Sequence, residues 1–197
     1  IYGAPISCLW GGGRVSSGTC GAWDVLALMR EYGISARLTF SNSLLREEHL
    51  KDKTCNALCR LFSESGTVQN GVIVHSELLL DHLKVAYPPL YFVSSTTKVL
   101  TDFSQLRCEL ERPEFSYVVP DFRLNKAFAS LNTLPQALKD KVEFLCNECC
   151  SFGCKDRRAC YEAVNRKNLG EAAPEHHCKA PDAKYGYRFS RAMENPG

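Results

Sequence analysis

Cysteines are concentrated in the last third of the chain, at a spacing that could bind a metal. The segment NECCSFGCKDRRAC, residues 147–160, holds four of them in fourteen residues, and Cys178 follows beside two histidines. Thiolates that are crowded together repel one another unless a cation or oxidation removes the charge. Four within reach can hold zinc in a tetrahedron or an iron–sulfur cluster. Three interpretations therefore stay open: an iron–sulfur cluster, a structural zinc ion, or thiols that bind no metal.

Two common cysteine motifs do not fit this spacing. A structural zinc ribbon usually has two C-x2-C hairpins, and here only Cys146 and Cys149 are so spaced. A radical-SAM cluster needs C-x3-C-x2-C, which would require a cysteine at the position of Arg157. Cys149 and Cys150 are adjacent, and neighbouring cysteines rarely form a disulfide with each other. We therefore expect an iron–sulfur cluster, with zinc as the alternative.

Polar residues also follow the predicted strands, at the positions where parallel βα proteins usually carry their functional groups. Lys98, in SSTTK, could form a Schiff base or bind an anion. His75 could act in acid–base chemistry, and Asp121 could bind a ligand. Each has a structural alternative: a solvated lysine, a histidine that caps its strand, and an aspartate that caps a helix. Candidate substrate-binding residues at the same strand ends are Arg14, Asn42, Asn125 and Asn147.

Three consecutive glycines, Gly11–Gly13, precede Arg14. Glycines let backbone amides approach an anion closely. However, the chain has neither the phosphate loop G-x-x-x-x-G-K-[ST] nor a G-x-G-x-x-G that opens a helix. A Ser–His–Asp catalytic order cannot be established either. The strand ends and the cysteine cluster therefore remain the candidate sites.

Short apolar runs alternate with helical patterns along most of the chain. The predicted strands are APISCLW, SARLTF, GVIVHS, LYFVSS, FSYVVP and VEFLCN. The predicted helices span Ala22–Tyr32, Glu47–Phe62, Glu77–Ala86, Asp102–Glu111 and Asn125–Lys139. Strands that are continuously apolar are typical of a sheet covered on both faces. The alternation of strands and helices predicts βα units around a parallel sheet.

These elements predict an α/β fold with a parallel, barrel-like (β/α) architecture and a cysteine-rich C-terminal loop region. Six strands are fewer than the eight of a closed TIM barrel, so we expect an incomplete barrel whose other strands lie outside this sequence or come from a partner. An open, doubly wound sheet is the second candidate. The predicted organisation is a barrel-like domain over residues 1–160 and an extension over residues 161–197 that packs on it, with a loop from Asn168 to Ala183.

Composition limits the classes of partner and compartment. The net charge is +2 and no basic run is longer than KDRR, so the charge does not favour a nucleic-acid partner. No apolar stretch approaches the roughly 20 residues of a membrane span, so we expect no membrane association. Five of the eleven cysteines are dispersed like small apolar fillers in a reducing, cytoplasmic compartment: Cys8, Cys20, Cys55, Cys59 and Cys108. Assembly into a homo- or hetero-oligomer stays open.

Several segments resemble the collagenase-like U-thirty-two (U32) peptidase family and its clostridial and metagenomic relatives. The resemblance is carried by FLCNECCSFGC, RRACYE and HHC, and is supported by LWGGGRV, LTFSNSLL and SSTTKVLTD. It implies a TIM-barrel-like fold and, as in characterised members, a 4Fe–4S cluster held by four cysteines. Cys150 and Cys154 match the two cysteines of the motif, and Cys178 matches a later one. The fourth ligand would be Cys149, Cys160 or a residue outside this sequence.

The resemblance also implies a class of function. Several members of that family assist oxygen insertion into ubiquinone precursors or RNA bases, and the peptidase name is poorly supported. We therefore expect an iron–sulfur protein that is an enzyme, or an accessory, in the oxygen insertion or modification of a small molecule or RNA. The alternatives are a binding or assembly protein stabilised by zinc, and a metal-free lyase or aldolase that uses Lys98.

Overall fold

The computed structural model describes residues 2–5, 8–13, 21–64, 66, 68–146, 150, 154–172 and 176. Strands and helices alternate through this part of the chain. The strands are β1 (Tyr2–Gly3), β2 (Arg37–Phe40), β3 (Gly71–Val74), β4 (Tyr91–Ser94) and β5 (Phe115–Val118). The helices are α1 (Ala22–Glu31), α2 (Lys53–Glu64), α3 (Glu77–Ala86), α4 (Phe103–Glu111), α5 (Phe128–Asn132), α6 (Gln136–Lys139) and α7 (Arg157–Asn168). Short 3-10 turns span Glu47–Lys51, Thr96–Lys98 and Phe122–Leu124.

All five strands are parallel, and each pairs with the next one along the chain. A doubly wound sheet reverses its strand order at a switch point, whereas a barrel wall adds strands in one direction. The unbroken order β1 to β5 therefore supports the barrel-like prediction for this α/β fold. Within the described residues, no helix is both long and apolar enough to cross a membrane.

Both faces of the sheet are apolar, which explains the continuous apolar runs of its strands. Neighbouring residues of a strand point to opposite faces. Accordingly, Val72 and Val74 belong to the main core between the sheet and the helices. Ile73 lies between them in sequence and packs with Val93 and Val119 in a second cluster on the inner face of the sheet. The inner face continues, at the carboxyl ends of the strands, into polar residues.

The first predicted strand is displaced and the last is shortened. β1 is Tyr2–Gly3, which precedes the predicted APISCLW, and the described residues of that segment form no strand. Within it the chain turns at Cys8, whose carbonyl accepts a hydrogen bond from the Gly11 amide at 2.9 Å. Among the described residues of the predicted strand VEFLCN, only Val142 forms a bridge, with Val118 of β5. The described sheet therefore has five strands and one additional bridge.

Two predicted helices are each interrupted once. The helix predicted over Glu47–Phe62 is a 3-10 turn followed by α2, and the break lies at Asp52, whose side chain accepts a hydrogen bond from the Cys55 amide at 2.7 Å. The helix predicted over Asn125–Lys139 is divided into α5 and α6 by Pro135, which lacks an amide hydrogen and disfavours a helical residue before it. The prediction of Glu77–Ala86 is confirmed without change.

Helix α7 is the main addition to the predicted elements. It spans the boundary at residue 160 that was predicted to separate the barrel from its extension, so the chain is continuous helix across that point. The side-chain amide of Asn168 donates to the Gly11 carbonyl at 2.7 Å, and Arg157 Nη2 donates to Thr96 Oγ1 at 3.2 Å. The helix thus lies across the carboxyl edge of the sheet.

Candidate functional site

The candidate site lies between helix α7 and the loops that leave the carboxyl ends of the strands. The two ends of α7 contact different loops. Arg157 in its first turn meets the loops after β4 and β5, and Asn165 near its last turn lies 2.8 Å from the Ser43 hydroxyl after β2. Because the carboxyl ends of parallel strands are the usual position of a βα active site, this edge is where a ligand is expected.

A buried carboxylate forms the centre of the edge. Asp121 follows β5 directly, caps the 3-10 turn by accepting from the Arg123 amide at 3.1 Å, and has no solvent exposure. The Arg123 guanidinium contacts both carboxylate oxygens, with Nε 2.6 Å from Oδ1 and Nη2 3.1 Å from Oδ2. This contact raises the pKa of Arg123 above its usual value. The helix-capping alternative for Asp121 is thus observed, and its ligand-binding role remains a prediction.

A second arginine reaches the same carboxylate from helix α7. Arg157 is 1% exposed, and its Nε lies 3.6 Å from Asp121 Oδ2. Its Nη2 donates to the Tyr161 hydroxyl at 3.0 Å, and its guanidinium lies 4.9 Å from the centre of the Phe122 ring. A buried charge is tolerated when it is paired and hydrogen-bonded, and an aromatic face adds to its stabilisation.

Sequence reasoning missed Arg157 as a site residue. Arg157 and Tyr161 are four residues apart, which places them on one face of a helix. That spacing was available in RRACYE, but the segment was interpreted only through its cysteine and its resemblance to other sequences. The partner of Arg157 could not be inferred, because Asp121 belongs to a distant segment.

The Thr97 hydroxyl, after the carboxyl end of β4, contacts the His75 ring, and the Ser95 hydroxyl holds that of Thr97 in place. Its Nδ1 lies 2.8 Å from Thr97 Oγ1, and Thr97 Oγ1 donates to Ser95 Oγ at 3.0 Å. Since the Thr97 hydroxyl has a single hydrogen, we infer that His75 Nδ1 carries a proton and that its Nε2 is the acceptor. Burial, followed by the charges of Lys98 and Arg158, lowers the pKa of His75 to about 4. A neutral imidazole at this position can accept a hydrogen bond or a proton from a ligand.

Lys98 points towards the helices and away from the inner face of the sheet. Its Nζ lies 2.6 Å from Glu109 Oε1 and 3.2 Å from Glu77 Oε1. It also lies 4.8 Å from the ring centre of Phe115, which belongs to the core between the sheet and the helices. These contacts favour a structural role for Lys98 and give no support to a Schiff base, which remains a prediction.

The four predicted substrate-binding residues differ in what surrounds them. Asn42 is fully buried and joins two segments, since its Nδ2 donates to the Leu9 carbonyl at 3.0 Å and to the Asn165 carbonyl at 3.3 Å. Asn125 Nδ2 donates to the Leu145 carbonyl at 2.8 Å. Arg14 and Asn147 lie outside the described residues. Asn42 therefore joins two segments of the chain, whereas Asn125 Oδ1 has no hydrogen-bond partner among the described residues.

Three buried oxygens at this edge have no hydrogen-bond partner within the part of the chain that the structure describes. They are Thr39 Oγ1, Ser41 Oγ and Asn125 Oδ1. Buried polar groups in proteins nearly always have a partner, whether protein, water or ligand. These oxygens therefore mark positions where a polar ligand or ordered water can bind.

Two of the four predicted metal ligands are described. Cys150 is buried and Cys154 is partly buried. Arg123 Nη1 donates to the Cys154 carbonyl at 3.3 Å, which brings the cysteine segment to the Asp121 centre. Cys149 and Cys178 lie outside the described residues, and within those residues no three His, Cys, Asp or Glu side chains are grouped to hold a metal ion. The iron–sulfur and zinc predictions therefore remain predictions.

Comparison with known proteins identifies a related fold. No protein-family model matches the sequence, and no curated protein matches it significantly. A solved structure of the U32 peptidase Mk0906 superimposes on 97% of this chain and 80% of its own, with a TM-score of 0.63 and 14% sequence identity. At this identity the likeness shows the fold alone. The chain thus has a U32-like, barrel-like α/β fold, as the sequence resemblance implied.

Proposed function

We propose that the chain is an iron–sulfur protein of the U32 type whose carboxyl edge binds a polar substrate beside a 4Fe–4S cluster. The observation that carries the proposal is the contact of Arg123 with both Asp121 and the Cys154 carbonyl, at 2.6 Å and 3.3 Å. It brings a cysteine of the cluster motif to the strand-end position where βα proteins bind their ligands.

The chemistry of the described donors is compatible with a cluster. Cys150 and Cys154 would supply two thiolates, and Cys178 with Cys149 or Cys160 would complete the set. Four thiolates bring negative charge, and the cationic Arg123 next to Cys154 would offset part of it. When bound, such a cluster supplies one-electron transfer or an iron atom that can bind substrate.

The residues of the inner face would recognise the substrate. His75 offers an acceptor nitrogen, and the unpartnered oxygens of Ser41 and Asn125 are available within the described residues. Such a set suits a polar, hydrogen-bonding molecule such as a quinone precursor or an RNA base. Oxygen insertion or a related modification is the reaction class that the resemblance supports for this site.

The experiment that tests the proposal is metal analysis of protein purified without oxygen. We expect iron and acid-labile sulfide in near-stoichiometric amounts. The variants Cys150→Ala and Cys154→Ala should each contain much less iron than the wild-type protein. Cys108→Ala is the matched control, because Cys108 is exposed on helix α4 and should leave the iron unchanged.

The same measurement separates the alternatives. About one tightly bound zinc ion per chain, without sulfide, would mean that the cysteines bind a structural zinc ion. This result would overturn the cluster proposal. Iron retained at the wild-type level in both cysteine variants would also overturn it, because the predicted ligands would then not hold the metal.

A further inference from the structure

Two of the dispersed cysteines lie side by side in the core. Cys8 follows β1 and Cys55 is in the first turn of α2, and their sulfur atoms are 3.3 Å apart. The exposed fraction is 7% for Cys8 and 1% for Cys55. Both were expected to be apolar fillers, and the sequence contains no signal that would pair them.

Each cysteine is held in place by its own segment. The Cys55 amide donates to Asp52 Oδ1 at 2.7 Å, which fixes the start of α2. Near Cys8, the buried Trp10 donates from Nε1 to the His49 carbonyl at 2.8 Å and so fixes the loop after β1 against the turn before α2. A disulfide bond is about 2.05 Å long, so its formation needs the two sulfur atoms to approach by little more than about 1 Å.

We propose that Cys8 and Cys55 are a redox couple that forms a reversible disulfide when a peroxide-type oxidant is present. In the first step Cys8 attacks hydrogen peroxide, gains one oxygen as a sulfenic acid and releases hydroxide. In the second step the Cys55 sulfur attacks the Cys8 sulfur, the S–O bond breaks, and the oxygen leaves as water with the proton of Cys55. Two thiols and one peroxide thus give one disulfide and two waters. A thiol reductant reverses the reaction.

The environment assigns different roles to the two sulfur atoms. The pKa of Cys8 is lowered, first by its hydrogen bond with the Cys55 thiol and further by the Trp10 and Gly11 amides that point towards it, against the opposing effect of burial. The same contact raises the pKa of Cys55, and burial raises it further. Cys8 is also the more exposed of the two, at 7% against 1%, so peroxide reaches Cys8 first and Cys55 is the resolving thiol.

The disulfide would affect the edge of the sheet as well as the core. The loop that follows Cys8 is contacted by Asn42, which donates to the Leu9 carbonyl, and by Asn168 of α7, which donates to the Gly11 carbonyl. A bond between Cys8 and Cys55 would fix this loop to α2. It would also close a loop of 47 residues and so restrict the unfolded chain.

The first test is peptide mapping after treatment with hydrogen peroxide. Trypsin leaves Cys55 and Cys59 in one peptide, so the mapping uses Cys59→Ser protein. Unreacted thiols are alkylated before digestion. We expect a cross-linked peptide pair containing Cys8 and Cys55, which separates on addition of dithiothreitol. Full alkylation of both residues after peroxide treatment would overturn the proposal, as would a cross-link from Cys8 to any other cysteine.

The second test compares thermal unfolding before and after oxidation. For wild-type protein and Cys59→Ser, the disulfide should raise the melting temperature by roughly 5–15 °C, as a cross-link of this loop length predicts. Cys59 is the matched control, since it is buried one helical turn beyond Cys55. Cys8→Ser and Cys55→Ser should show no increase. An increase that persists in either variant would mean that another pair of cysteines is responsible.

Discussion

Arg157 and Asp121 form a buried ion pair between helix α7 and the end of β5, with 3.6 Å between Nε and Oδ2 and at most 1% side-chain exposure on either residue. The pair joins the most C-terminal described helix to the centre of the sheet edge. Because Asp121 also binds Arg123, one carboxylate organises two cations and the cysteine segment that Arg123 contacts. The candidate site therefore depends on this carboxylate for its geometry.

Replacing Arg157 should destabilise the fold. Arg157→Met removes the ion pair with Asp121 together with the hydrogen bonds to Thr96 and Tyr161, and keeps much of the apolar bulk. Removing one partner of a buried pair typically costs about 3–5 kcal/mol. We expect about 2–4 kcal/mol here, because Arg123 still compensates Asp121. Urea unfolding followed by circular dichroism measures the change.

The control for this prediction is the neighbouring arginine. Arg158 is exposed in the same helical turn, so Arg158→Met should change the free energy of unfolding by no more than about 0.5 kcal/mol. Equal costs for the two variants would show that the charge of the helix, and not the pairing with Asp121, stabilises α7.

Most of the regular elements could be predicted from local patterns, with helix α7 and strand β1 as the exceptions. The prediction of α3 over Glu77–Ala86 was confirmed because all of its signals are local: a serine cap, an apolar stripe and a proline pair beyond its end. The parallel sheet followed from continuous apolar strands separated by helices. Errors occurred where one residue interrupts a periodic pattern, as Pro135 does between α5 and α6.

The contacts within the candidate site and between the two core cysteines could not be predicted, because they join distant segments. The pairs Arg157–Asp121 and Cys8–Cys55 have no signature in sequence spacing. The direction in which the Lys98 side chain points could not be predicted from the sequence either. It depends on the 3-10 turn after β4, which places this side chain over the Phe115 ring. Strand ends identify a polar edge, but tertiary packing decides which side chains face it.

The acidity of Glu77 provides a test of the ion network around Lys98. The pKa of Glu77 is lowered to about 2, first by its hydrogen bonds to Arg112, with a smaller effect of Lys98. Arg112→Gln should therefore return the pKa of Glu77 towards 4.5 by more than Lys98→Gln does. NMR titration of the Glu77 carboxyl carbon measures both shifts.

The linked effect on stability has a definite sign. Because the pKa of Glu77 is lower in the folded state, its contribution is present above pH 4.5 and is lost as the pH falls towards 2. The loss over this range should be smaller in Arg112→Gln. Equal pKa shifts in the two variants would contradict the order of the two contributions.

His75 should make the protein less stable at mildly acidic pH. Its pKa is about 4 in the folded state and 6.5 without the fold, so between these values the unfolded chain binds a proton that the folded chain does not. The free energy of unfolding should therefore fall by up to roughly 3 kcal/mol between pH 7 and pH 4. The measurement is denaturant unfolding at several pH values.

The variant His75→Gln isolates this effect. It lacks the titrating ring, so the part of the pH dependence due to His75 should disappear, while the effect of the carboxylates remains in both proteins. Nitrogen-15 NMR of the wild type should also show Nδ1 protonated at pH 7, as the hydrogen bond to Thr97 implies. A His75 pKa near 6.5 would contradict the prediction.

Gly12 should tolerate no side chain, because the loop after β1 lies directly on the backbone after β2. A Cβ at Gly12 would be 2.2 Å from the Ser41 carbonyl oxygen, and backbone atoms cannot move aside at low cost. We expect Gly12→Ala to lower the free energy of unfolding by about 3 kcal/mol or more, measured by urea unfolding.

Gly33→Ala is the control for this prediction. Gly33 has a φ of +62° and open space around it, so only the backbone conformation is penalised, by about 1 kcal/mol. A smaller cost at Gly12 than at Gly33 would mean that the loop bearing Cys8 is not seated on Ser41. A larger cost at Gly12 than at Gly33 would identify the close approach of the two backbones as a physical reason for a glycine at this position.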